Sequence, residues 1–119
     1  MANYNTFYTK RNSTARPIRA ALKNPDGSAV DLSPGGTSVL FVMKAKSLAD
    51  TRTEKVRASA SIISPASDGV VQYQWSAGDV DTAGQFNAEW QVNWSGGLVE
   101  TFPSRSYNTV LIEADLDNQ

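Results

Sequence analysis

The chain has 119 residues, neither cysteine nor histidine, and a net charge of −1 from 11 Lys/Arg and 12 Asp/Glu. With 40% hydrophobic and 19% charged residues it has the balance of a globular protein, long enough for one core without cross-links. Disulfides, thiolate chemistry and thiolate metal sites are excluded, and without imidazole the chain has neither the usual general base at neutral pH nor the commonest zinc ligand. No apolar run approaches the roughly 18 to 20 residues of a membrane span, and no charged leader with an apolar segment is expected.

Residues 1–13 (MANYNTFYTKRNS) are polar and aromatic without strong periodicity, and read as an N-terminal arm or an extra edge strand that a partner would order. Pro17 to Leu22 (PIRAAL) reads as a short strand, closed by a turn at Asn24-Pro25-Asp26-Gly27. After the bend Ser33-Pro34-Gly35-Gly36, Thr37 to Ala45 (TSVLFVMKA) is a β-rich run whose continuous apolarity suits a strand covered on both faces. Residues 46–56 fit either a helical turn or a loop. Arg57 to Ile63 and Val70 to Trp75 follow as strands, separated by the turn signals Ser64-Pro65 and Asp68-Gly69.

Ala83 to Trp94 (AGQFNAEWQVNW) carries the clearest signal: Phe86, Ala88, Trp90, Val92 and Trp94 alternate with Asn87, Glu89, Gln91 and Asn93. Period two makes a ribbon with one apolar and one polar side, and the rings of Trp75, Phe86, Trp90 and Trp94 are expected in the core. Ser95-Gly96-Gly97 then turns a hairpin into LVETF, and Tyr107 to Ala114 supplies a last strand. About seven short strands without helical periodicity predict an all-β protein, an immunoglobulin-like β-sandwich with an extended N-terminal arm. The expected domains are an arm over 1–13, a sandwich over 14–116 and a tail over 117–119.

The corner Asp81 to Phe86 has the shape of the tyrosine corner of such sandwiches with Phe86 in place of the tyrosine, so its fastening is expected from packing alone. The expected catalytic, cofactor and metal residues are none. Asp79 and Asp81 are expected to bond to nearby backbone rather than to a cation, and Glu89 and Glu100 to lie on the solvent face of a hairpin. Dispersed Lys10, Arg11, Arg16, Arg19 and Lys23 argue against a nucleic-acid partner.

Charge is uneven along the chain: residues 1–57 hold ten Lys/Arg against four Asp/Glu, and residues 58–119 hold one against eight. The halves are therefore +6 and −7, which attracts neighbouring copies head to tail if the fold separates them and is harmless if it interleaves them. Recognition is expected on the outside. If Val39, Phe41 and Met43 face inward, Leu40 and Val42 face outward, joined by Leu111, as a contact patch or as the floor of a second layer. Tyr4, Phe7 and Tyr8 are the expected anchors of the arm.

Pro17 to Lys44 together with Val70 to Leu116, above all Tyr73 to Trp90 (YQWSAGDVDTAGQFNAEW) and Gly96 to Pro103 (GGLVETFP), resemble the N-terminal domain family of the phage baseplate upper protein. The resemblance covers about residues 14 to 116. It implies an immunoglobulin-like virion module that attaches or adapts rather than catalyses, in multiple symmetric copies, with other phage virion proteins as partners and no membrane or small-molecule substrate. Its place would be the phage particle, assembled in the bacterial host cytoplasm, in tail or baseplate. In that family the domain anchors a longer protein; here the sequence stops after the sandwich, which favours a stand-alone adaptor, a fibre-linking piece or a capsid decoration protein. A carbohydrate-binding module for host attachment is the competing expectation.

Overall fold

Turn residues cut the chain into eight short strands: β1 (Thr6–Lys10), β2 (Ile18–Ala21), β3 (Ser38–Ala45), β4 (Val56–Ile62), β5 (Val70–Tyr73), β6 (Gly84–Asn93), β7 (Val99–Phe102) and β8 (Asn108–Glu113). The structure, a computed structural model, describes residues 6–46, 54–103 and 107–116. Helical structure among these residues is limited to short 3₁₀ turns such as Ala66–Asp68, and the protein is all-β.

The strands hydrogen-bond in the order β1-β8-β6-β3-β4-β5-β2, and β7 pairs with β6 beside this path. β6 organises the sheet because ten residues of strict alternation give it two long edges. β3 runs antiparallel along one of them, matching Ser38 to Asn93 and Ala45 to Phe86. The other edge is shared, β8 taking Gly84 to Ala88 and β7 taking Trp90 to Asn93. β4 carries the path around, pairing Val56 to Ala60 with β3 and Ser61 and Ile62 with β5. β1 lies parallel to β8, unlike the antiparallel pairs elsewhere. The result is a nearly closed, barrel-like sheet whose two ends, β1 and β2, approach without pairing.

Aromatic rings fill the interior. Phe41 stacks on Tyr73 with centroids 5.0 Å apart, meets Trp75 edge-on at 5.5 Å and lies 4.8 Å from Trp90. Val39, Met43, Val71, Val92, Val110 and Ile112 close the space around them. Each such aliphatic side chain is worth about 1.5–3 kcal/mol of transfer free energy, and ring pairs in these geometries add about 0.5–1.5. Trp75, Phe86 and Trp90 are buried as their parity predicts. Trp94 departs from it in part: one residue beyond β6, it is half-buried and packs against the core from outside.

Two further expectations change. Residues 6–10 are the edge-strand alternative of the arm reading, fastened by pairing Thr6 through Lys10 with Thr109 through Glu113. The corner before β6 is held by a tyrosine after all, supplied by β5. The Tyr73 hydroxyl donates to Asp79 Oδ2 at 2.6 Å, and the same oxygen accepts from the Ser76 amide at 2.8 Å. Nearby, Val80 is fully buried and its carbonyl accepts from the Asn12 amide, tying the β1–β2 connection to this corner. Most of the undecided segment 46–56 lies outside the described residues.

Gly69, with φ +70°, links the 3₁₀ turn to β5, and a Cβ there would sit 2.6 Å from the Val30 carbonyl oxygen. Only glycine allows β5 to start against the Leu22–Val30 backbone. The charge asymmetry is interleaved: Lys10–Glu113, Arg11–Asp115 and Lys55–Asp81 each join a cation of the first 57 residues to an anion of the remainder. Head-to-tail attraction between copies therefore loses the basis it would have in separated halves.

Candidate interaction surface

Acidic groups come first, because they decide whether chemistry is possible. Asp79 is committed to Tyr73 and Ser76, and Asp81 accepts from Lys55 and from the Thr82 hydroxyl, bonds that hold its carboxyl below the usual range. No group of three or more metal-ligating side chains exists among the described residues. Glu89 and Glu100 lie on opposite faces of the sheet, for Glu100 stands across from inward-facing Val92, whereas Glu89 stands across from outward-facing Val42. The expectation of one shared solvent face is corrected by this register, and two carboxylates so separated cannot act together on one bond.

The outer face of the sheet carries the predicted patch residues. Leu40 and Val42 are half-buried on β3, Leu40 between Ser59 and Gln91 and Val42 between Arg57 and Glu89. Leu111 is also half-buried on the outer side, but its cross-strand neighbours are Gln85 and Tyr8. The polar row of β6 stands between them, so the three do not form one patch: Leu40 and Val42 make one small apolar area, Leu111 and Tyr8 another.

Of the arm residues, Tyr8 is 64% exposed. Phe7 points the other way and its ring lies 5.7 Å from Trp75, which makes it part of the interior rather than an external anchor. Period two gives the reason, since a strand whose Tyr8 faces water must turn Phe7 inward. Tyr4 lies outside the described residues.

Two concavities accompany these faces. One, of about 120 Å³, is lined by Val42, Lys44, Asn87, Glu89 and Tyr107. Burial there raises the Glu89 carboxyl above its ordinary range, against a smaller opposing effect of Lys44. The other, of about 270 Å³, lies where the sheet fails to close and is lined by Thr6 and Phe7 of β1, Ile18, Arg19 and Ala20 of β2, and Trp90 and Asn108. The buried indole nitrogens of Trp75 and Trp90 have no hydrogen-bond partner among the described residues. With Trp75 and Trp90 buried, neither presents a ring face to a sugar.

Sequence reasoning missed the second cleft, because its residues come from four strands far apart in the chain. It also missed the hairpin tip, where Leu98 and Val99 are 69% and 57% exposed. The signal was present there: two apolar residues directly after Ser95-Gly96-Gly97 stand at a turn, where little sheet can cover them.

No protein-family model and no curated protein matches the chain.

Proposed function

We propose that the chain is a non-catalytic assembly module of a tailed-phage particle, located in the tail or baseplate, with an immunoglobulin-like sandwich as its scaffold. The resemblance of Tyr73 to Trp90 and of Gly96 to Pro103 to the baseplate upper protein family motivates the reading. The division of the path, with β1, β8, β6, β3 and most of β4 in one layer and the end of β4, β5 and β2 in the other, supports the sandwich. The observation that carries the function is the division of labour in the rings. Phe41, Tyr73, Trp75 and Trp90 contact one another inside, so outer faces and margins are what the molecule offers to others. Tyr8 with Leu111, and Leu40 with Val42, are the proposed contacts to neighbouring virion proteins, with Tyr4 as a further anchor of the arm.

The test is mass spectrometry of density-purified particles from cells producing the chain. It is expected in intact particles in multiple copies; its confinement to the soluble fraction would contradict the proposal. Since β1 is integral to the sheet, the informative deletion removes residues 1–5 only.

A further inference from the structure

β1 and β2 end the sheet, and among the described residues each uses one edge only, β1 toward β8 and β2 toward β5. An unpaired edge is a row of unused amides and carbonyls, and here two such rows border the same cleft. Trp90, itself fully buried, forms part of the wall of that cleft. Asn108, also lining it, has no side-chain hydrogen bond among the described residues.

Charge selects the occupant. Arg19 lines the cleft, and among the described residues its guanidinium donates only to the neutral Gln72 Oε1, at 2.6 and 3.0 Å. Arg16, just before β2, meets no carboxylate among the described residues. The neighbouring cations Lys10 and Arg11 are by contrast neutralised by Glu113 and Asp115. The same pairs occupy acidic groups of the C-terminal segment, so a second copy would have to break two ion pairs to donate it.

Resting on the assembly reading above, we infer that the β1–β2 seam receives an extended, acidic strand from a different protein. Its backbone completes the sheet edge, and a carboxylate meets Arg19. Strand addition gives the interaction its affinity through the main chain, and Arg19 gives it a sign.

The experiment uses the full chain with three fluorescein-labelled peptides: one alternating valine with glutamate, the same with lysine for glutamate, and one of residues 107–119. The first is expected to bind about tenfold more tightly than the second, the difference one charge-assisted pair supplies. Arg19→Glu, an exposed site whose fold circular dichroism checks, should reverse that order. In amide NMR, binding should protect Thr6–Lys10 and Ile18–Ala21 and move the Trp90 indole cross-peak, assigned by its loss in Trp90→Phe. Equal binding of the two alternating peptides, or protection elsewhere than β1 and β2, overturns the inference. Tightest binding by the peptide of residues 107–119 overturns it in favour of a second copy. Finding the chain in particles while the seam ignores acidic strands leaves the assembly reading standing and removes only this one.

Discussion

β6 is bonded along both edges, by β3 on one side and by β8 and β7 on the other, whereas β1 and β2 are each bonded along one among the described residues. The contrast extends to what lies beneath. Under β6 and β3 the rings of Phe41 and Trp90 are wholly enclosed, whereas Phe7 under β1 is only half-buried and reaches a single ring, Trp75. One flank thus has the density that holds a fold. The other has an open edge with Arg19 beside it, and it is from margins with few buried contacts that binding elements are generally drawn.

The largest expected effect tests this contrast directly. Phe41→Ala should cost about 3–5 kcal/mol in urea unfolding, as for an enclosed ring whose cavity cannot collapse, and Phe7→Ala about 1–2 kcal/mol, in proportion to its smaller burial. Equal losses would erase the distinction between flank and margin.

A smaller effect sharpens the role of the corner between them. Tyr73→Phe removes the hydroxyl bonded to Asp79 and should cost about 0.5–1.5 kcal/mol at neutral pH. Burial, then the bond to Asp79, pushes the Tyr73 hydroxyl up from its ordinary 10.0 to about 12. Its folded value exceeds the unfolded one, so the contribution is complete below pH 10 and is lost as pH rises toward about 12. The gap between the native chain and Tyr73→Phe should therefore close over that interval in pH-resolved denaturation.

The smallest effect is expected on the outer side of the dense flank. The Glu89 carboxyl is raised by burial, so ionising it opposes folding once pH passes the ordinary carboxyl range. Glu89→Gln should raise the thermal midpoint by about 2 °C at pH 7 and leave it unchanged near pH 4. A destabilised variant at pH 7 would mean that the carboxylate has a stabilising role on this face.

What was legible in the sequence follows the same division. β6 announced itself because Phe86 to Asn93 alternate without interruption, and β3 and β8 were placed to within a residue by β-branched runs between turns. Burial of Trp90 and the outward direction of Leu40 follow from parity alone. The margin was harder to read. Thr6-Phe7-Tyr8-Thr9 has no apolar period, and its direction of pairing depends on β8, about a hundred residues away in the chain. Trp94 kept the apolar parity of its strand yet lies past the end of the sheet, where there is less core to enter. The Tyr73–Asp79 fastening is hidden because the corner motif puts its ring at position 86, a phenylalanine, whereas the hydroxyl comes from the preceding strand. Thr6, Arg19, Trp90 and Asn108 meet only through the three-dimensional path of the sheet, and no local pattern marks them.

The claim on which the account rests is that the interior holds the fold while the β1–β2 margin serves assembly. Image reconstruction of the particle containing the chain measures this most directly. The account predicts an extended segment of a neighbouring protein running between β1 and β2, with Arg19 against one of its carboxylates. A chain bound through other surfaces, with the β1–β2 seam facing solvent in every copy, would contradict it.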